Sequence, residues 1–527
     1  MTGDDKENYF PLAAWYVPTL ENGGSFYVGN GDDRHLVTKY KLRKGIKWST
    51  GTEVTSADAV FSYKFVLDDP NSVSVALFSK LSFVDNPYKY TVIYNWMSLN
   101  EAKAKLADPD TDQAQFSFLN VFIDAKKPVI DINYFLVGSV HSKAALEKVP
   151  IDKVQESSEG QKPTGYGPYI VQEWKQGDSM TLVKNPNYNL TAPPLINRLI
   201  NRFNPDVNAQ VNAFLTGQLD GIESEGFVVP PDQSDQIKAA GGVVSNVPAA
   251  SWEHLEPVFQ DALDGYTPFG DLAVRQALMY GINREQIVKT VFKGAGAVMN
   301  GPNPPAVWHS LEHPNFAKEF PDIAAAHKLP LYAYDVAKAN ATLDAAGWVK
   351  GGDGIREKGG QKLSFEYATT RNTTRQAIQA LVGADLKAIG MDPVITNYPT
   401  GFFNPDGPKA TRKTELAEFA FNGTSSTNYD PYDSKEWNTD ENPGAQNNQH
   451  YKNDKVDQAN RQFSATIDRK ELALQSAIAQ EEMMKDVAVI PLVQRANIEI
   501  YSGKMMNRKT TNTSIAQWWN TTQWYFK

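Results

Sequence analysis

Polar and apolar positions change period repeatedly along this chain, so helical and extended segments alternate throughout. Residues 39–43, Lys-Tyr-Lys-Leu-Arg, predict a strand, and a turn-bounded segment from Gly45 to Gly51 follows. A helix is expected from Thr55, whose hydroxyl can cap while Asp58 reaches back. Residues 165–174 predict a turn and then a strand. Residues 179–184 alternate as the second strand of a hairpin, closed by the turn Asn185-Pro-Asn-Tyr188. Helix punctuation is clearest over 271–294. Asp271 should cap a helix with Val274 and Leu278 on one face. Asn283 should cap a second carrying Ile287, Val288, Val291 and Phe292, which Gly294 ends. Val336, Ala339, Leu343 and Ala346 keep helical spacing up to Gly347. Ile378, Val382, Leu386 and Ile389 do so up to Gly390, and a strand is expected over 393–397. A last long helix is predicted over about 468–486, leading into the apolar run 487–493. Residues 101–160 are polar and show no readable periodicity, while 301–305 and 422–449 read as long loops with turn chemistry. The alternation predicts α/β architecture.

Composition narrows the function classes. A chain of 527 residues has room for about three domains, or one large discontinuous one. Its net charge of −9 gives no global attraction to phosphate backbones, so no nucleic-acid partner is expected. With no cysteine there is no disulfide framework, thiolate metal site or cysteine nucleophile. The longest apolar run, residues 487–493, contains Pro491 and falls well short of the ~18 residues that cross a bilayer. The first seven residues, Met-Thr-Gly-Asp-Asp-Lys-Glu, lack the basic and apolar regions of an export signal.

Candidate chemistry is sparse. His309-Ser-Leu-Glu-His313 has the spacing of an inverted zinc-protease motif, but prolines crowd it on both sides, and surface-loop histidines are the expectation. Asp108-Pro-Asp-Thr-Asp112 begins like a calcium loop, yet Gln113 and Leu119 stand where a turn glycine and a bidentate glutamate belong. No nucleophile elbow, phosphate loop or dinucleotide fingerprint occurs. Neither a catalytic residue nor a metal or other cofactor is expected. Among the eleven tryptophans, Trp252, Trp308, Trp437, Trp518 and Trp519 fall in segments read as irregular, and are the candidates for a ligand cleft.

An ordered set of motifs then becomes recognisable. It runs through Tyr40-Lys-Leu-Arg-Lys-Gly-Ile-Lys-Trp48, Gly51-Thr-Glu-Val-Thr-Ser-Ala-Asp58 and Gly165-Tyr-Gly-Pro-Tyr169. It continues with Leu182-Val-Lys-Asn-Pro-Asn-Tyr188, Leu215-Thr-Gly-Gln-Leu-Asp220, Pro268-Phe-Gly-Asp-Leu-Ala-Val-Arg-Gln-Ala-Leu278, Ile282-Asn-Arg-Glu285, Tyr429-Asp-Pro431 and Ile490-Pro-Leu492. Over about 40–500 the chain resembles the large solute-binding proteins of bacterial ABC importers, in the peptide and nickel family that also includes oligosaccharide binders.

The resemblance implies a two-lobed periplasmic-binding-protein fold (class II-like, cluster C) with an extra subdomain on the first lobe. That subdomain would be residues 1–155, the first-lobe core 156–250 with 496–527, and the second lobe 251–495. It implies no enzyme and no cofactor, but capture of an oligopeptide for a membrane permease, by a monomer outside the cytoplasm, lipid-anchored in its full-length form. An oligosaccharide ligand of the cello- or xylo- type is the alternative, with a secreted hydrolase or a chaperone-like role behind it. Only about 38 residues precede the first motif, so the N-terminus looks shortened against the family. The ligand-binding residues so implied are Trp252, His254, Glu256, Phe402, Phe403, Thr427, Asn428, Tyr429, Asp430 and Trp437. Trp252 and Phe403 are expected to serve affinity rather than stability. Peptide-binding relatives place an amine-pairing aspartate four residues before the motif's proline. Here that position is Thr427, which cannot ionise, leaving Asp430 or Glu256 as substitutes.

Overall fold

The computed structural model describes the chain apart from residues 1, 4–8, 11, 19–21, 69–80, 99, 102–103, 105–139, 205, 224–230, 264, 400, 405, 423–428, 440–444, 465–468, 511–517 and 519. The first body is built on strands β1 (Ser25–Val28) and β2 (His35–Lys41), helix α1 (Ser56–Asp68), and strands β3 (Leu81–Tyr88) and β4 (Thr91–Trp96). The four strands pair antiparallel in the order β1-β2-β4-β3. Helix α1 seals one face of this sheet with Ala59, Tyr63 and Val66 against Tyr40, Leu81 and Trp96. Asp58 reaches back as expected: its carboxylate accepts from the Thr55 amide at 2.8 Å, and from the Lys143 amide at 2.9 Å, tying the helix start to a distant segment. The predicted hairpin is β5 (Tyr169–Lys175) with β6 (Ser179–Lys184), joined on its far side by β7 (Arg198–Arg202).

The rest of the chain supplies helix α2 (Val207–Leu215), β8 (Gly221–Glu223), α3 (Pro231–Ala239) and the sixteen-residue β9 (Gly242–Pro257). After it come α4 (Leu272–Gly281), α5 (Arg284–Thr290), β10 (Ala297–Val298), α6 (Val336–Ala345), β11 (Ser364–Thr370), α7 (Thr373–Ala388) and β12 (Asp392–Tyr398). Then follow β13 (Leu416–Asn422), α8 (Asp454–Ser464), α9 (Arg469–Asp486) and β14 (Ile490–Ser502). A seven-stranded sheet has the order β8-β14-β9-β13-β11-β12, with β10 on β14. Strand β11 is parallel to β12 and β13, whereas β9 is antiparallel to β13 and β14.

The punctuation read from the chain is in place. Asp271 accepts from the Ala273 amide, Asn283 from Gln286 and Asn372 from Arg375, and Gly294, Gly347 and Gly390 adopt positive φ at the helix ends. Arg275, from the motif 268–278, donates its Nε–H to the carbonyl of Asp486, the last residue of α9. Its guanidinium lies 4.3 Å from the Phe259 ring centroid, and burial lowers its pKa to about 10. The strand read at 39–43 begins earlier, at His35, and ends at Lys41, so Leu42 and Arg43 lie beyond it.

Two separate cores share the same pair of strands. The smaller holds Val211, Phe214, Ile222 and Ile237 against Ala496, Ile498 and Ile500 of β14. The larger gathers Leu255, Val274, Leu278, Tyr367, Ile378, Val382 and Leu386 around Ile490 and Leu492 of that strand. Between them the pairing of β9 with β14 slips: Pro248 faces Ala496, and the next pair is Trp252 with Gln494. Residues 249–251 therefore bulge opposite Arg495, and the Gln494 amide closes the gap by donating to the Ala249 carbonyl at 2.8 Å.

Candidate functional site

Open α/β sheets leave a crevice at the carboxyl ends of their parallel strands. Here those ends are Thr370, Tyr398 and Asn422. The antiparallel β9 reaches the same edge at Ser251 and Trp252, because these pair with Asn422 and Phe421. The register slip between the two cores thus lies at the mouth of the crevice.

One face of β9 carries Trp252, His254 and Glu256 opposite Phe421, Phe419 and Ala417 of β13. Their rings form a continuous cluster in which only His254 and Phe421 are stacked. His254 lies 4.4 Å from Trp252, 4.7 Å from Phe421 and 4.3 Å from Phe419, between ring centroids. Phe403 extends the cluster edge-on, at 5.5 Å from Phe419 and 4.9 Å from Phe402. Only Phe403 offers much surface, at 53% exposed; Trp252, on a regular strand rather than in an irregular segment, is 3% exposed within the larger core. Phe402 is also buried. Glu256 is not a spare counter-charge. It is buried, with Lys409 at 3.1 Å and His254 at 3.5 Å. Burial is the largest influence and opposes its ionisation, but the charges and hydrogen bonds of Lys409 and His254 together outweigh it and hold the carboxyl below its usual range.

The opposite face holds a group of ions that periodicity did not mark as a site. Glu253 of β9 is fully buried, with Arg375 of α7 at 3.3 Å on one carboxylate oxygen and Arg495 of β14 in direct contact with the other. Next to it, Glu418 of β13 contacts the Tyr367 hydroxyl. Burial, reinforced by Glu253, pushes the Glu418 carboxyl far above its ordinary value. The one available signal was a charged residue inside each of two apolar strands, in Trp252-Glu-His-Leu255 and in Leu492-Val-Gln-Arg-Ala496.

Other candidates sit elsewhere. Tyr429 is buried in a polar network, its hydroxyl 2.6 Å from Asn303 Nδ2 and 2.8 Å from Ser476 Oγ. Trp437 lies toward the far end of the sheet: it stacks on His450 at 4.7 Å and donates to the carbonyl of Tyr451, whose hydroxyl reaches Asp486. It therefore does not join Trp252. Asp430 opens a short 3-10 turn, while its side chain, like Thr427 and Asn428, lies outside the described residues, as do Trp519 and the segment 108–119. His309 is not a surface-loop residue. It is fully buried, with its Nδ1 2.9 Å from Ser476 Oγ, because the 301–313 segment folds against α9. Among the described residues no group of three metal-ligating side chains occurs.

The family model described as bacterial extracellular solute-binding proteins, family 5 Middle, matches residues 31–446. The chain is 28% identical over 370 residues to the oligopeptide-binding protein AppA of Bacillus subtilis, covering 68% of this chain and 58% of that one. It is 29% identical over 235 residues to the nickel-binding periplasmic protein of Escherichia coli, covering 44% and 40%. It thus spans less than two thirds of the length of these relatives. Among solved structures, AppA of Bacillus subtilis in complex with a nonapeptide superimposes with a TM-score of 0.72 at 22% identity, over 99% of this chain and 91% of that one. NikA of Brucella suis in complex with Fe(III)-EDTA does so with 0.73 at 18% identity, over 99% and 92%. The fold is therefore the α/β fold of the periplasmic binding proteins, as the motifs implied.

Proposed function

This chain belongs to the bacterial extracellular solute-binding proteins of family 5, and we propose that it captures an oligopeptide between two lobes and delivers it to the permease of an ABC importer. Members of this family are extracytoplasmic substrate-binding components of transporters rather than enzymes. Among the described residues no helix is long and apolar enough to cross a membrane. The proposed lobes are 156–250 with 496–527, carrying the subdomain 1–155, and 251–495. In this proposal the protein works as a monomer outside the cytoplasm.

The observation that carries this reading is the pair of strands β9 and β14, continuous through two cores and slipped in register between them. Such a joint lets two rigid bodies turn about a few residues. A ligand touching both then shifts the open–closed equilibrium by its differential affinity for the two states. Phe403, at the crevice and half exposed, supplies an apolar contact that accepts varied side chains.

Native mass spectrometry of the freshly purified full chain tests the reading. A retained series of peptide masses, displaced by added tetra-alanine and recovered uncleaved, is the expected result. Retention of an oligosaccharide, with saturable binding of cello-oligosaccharides and none of peptides, would overturn it. Recovery of cleaved peptide would point to the hydrolase instead.

A further inference from the structure

Helix α1 seals one face of the sheet β1-β2-β4-β3, and the pairing register defines what the opposite face carries. Phe26, Val37, Asn95 and Phe83 form one row across the four strands, and Lys39, Ile93 and Asp85 form the next. In the row after that, Lys41 pairs with Thr91 and Thr91 with Tyr88. Trp15 continues this row by donating its amide to the Lys41 carbonyl at 2.9 Å. Arg43 lies just beyond, its guanidinium 5.7 Å from the Trp15 ring centroid.

Apolar surface is concentrated here with no core to enclose it. Tyr88 is 74% exposed, Trp15 61% and Phe83 51%, and Phe26 is exposed as well. None of the four belongs to the cluster that α1 builds on the far side of the sheet. Cations are concentrated with them. Residues 39–47 hold five cations and no anion, in a chain whose net charge is −9. Lys89 nearby is taken by Glu53 at 2.7 Å, but among the described residues Lys39 and Lys41 make no ion pair. Asp85 is the one carboxylate in these rows.

We infer that this face docks on an anionic phospholipid surface. Exposed Trp and Tyr rings with Lys and Arg among them have the composition of a bilayer interface, where the rings sit at headgroup level and the cations meet phosphate. A protein partner fits less well. The buried centre of a protein–protein interface is depleted in lysine, whereas here Lys39 and Lys41 lie between the rings. The net negative charge of the chain repels an anionic surface, so the local cations fix which side approaches it. The inference goes beyond peptide capture, and its test uses no peptide, so either can fail alone.

Co-sedimentation of the full chain with vesicles decides it, comparing phosphatidylcholine alone with equal parts of phosphatidylcholine and phosphatidylglycerol. Binding should appear with the anionic mixture and not with phosphatidylcholine alone. It should fall as salt is raised from about 0.1 to about 1 M, where the screening length shrinks from about 10 to about 3 Å. A basic residue at such a surface contributes a factor of about five. The double variant Lys39→Gln/Lys41→Gln should therefore bind at least about ten-fold more weakly. Lys238→Gln/Lys318→Gln removes the same charge at exposed positions elsewhere and should bind like the parent. Should the first double variant fail to fold, Tyr88→Ser carries the comparison, since this most exposed ring of the face should also weaken binding when lost. Absence of binding to the anionic vesicles overturns the inference and leaves the face to a protein partner. So does a face variant that binds like the parent. Equal weakening by both double variants overturns it too, because that is a response to net charge and not to this face.

Discussion

Trp252 and Phe403 belong to one aromatic cluster, yet they answer to different forces. Trp252 is enclosed by both the strand β13 and the larger core, so truncation leaves a cavity. Trp252→Ala should lose about 3–5 kcal/mol of stability in urea unfolding of the ligand-free protein. Phe403→Ala should leave that transition nearly unmoved and weaken tetra-alanine binding in calorimetry. A Trp252→Ala protein as stable as the parent would show that the ring is not core. Glu53 tests electrostatics at the same scale. Hydrogen bonds from Lys89, from Tyr90 and from the Gly45 amide lower its pKa to about 2. A depressed carboxyl pKa gives stability that is present above its ordinary value of 4.5 and is lost as pH falls through about 2. The melting temperatures of the parent and Glu53→Gln should therefore converge as pH drops across that window. A gap that stays constant there would contradict the assignment.

Helices and strands differed in how openly the chain announced them. Helices α4 to α7 could be read because each carries a stripe of apolar residues between a capping Asp or Asn and, in most, a glycine beyond its end. Strands β9 and β14 could not. β9 is buried on two sides from Ala249 to Pro257 and β14 from Ile490 to Ala496, so no alternation marks these stretches, and their ions look like breaks in a pattern. The helix ends allow a controlled comparison. Gly347 and Gly390 adopt φ of 84° and 85°, a region costing a residue with a side chain about 1–2 kcal/mol. A Cβ at Gly347 meets nothing within 4 Å, whereas one at Gly390 would lie 2.9 Å from Arg356 Cγ. Gly390→Ala should thus be the more destabilising by about 1 kcal/mol or more in chemical denaturation. Equal losses would mean that Arg356 moves aside freely, despite its hydrogen bonds to the Ile389 carbonyl and to Asp344.

For the molecule as a whole, the test is motion between its two cores. The absence of cysteine lets spin labels be placed at will. With labels at Leu195→Cys and Leu331→Cys, both exposed, added tetra-alanine should shift the distance distribution. A pair at Leu331→Cys and Val394→Cys, within the proposed second lobe, should not respond. An unmoved first pair would exclude closure by rotation at the 248–252 slip. The same scale separates what the chain carried by itself from what folding decided. Local signals act within a turn or two of helix or one hairpin, and these were present in the sequence: the Asp58 cap, the 169–184 hairpin, the glycine stops and the ordered motifs that implied the family. Burial and partnership depend on residues brought together from far apart. Folding therefore placed Trp252 in the core, paired Glu256 with Lys409, carried Trp437 away from the crevice and buried His309 against Ser476. It also joined Glu253, Arg375 and Arg495 across more than a hundred positions of chain, an encounter that no local spacing encodes because only the sheet order and its slipped register create it.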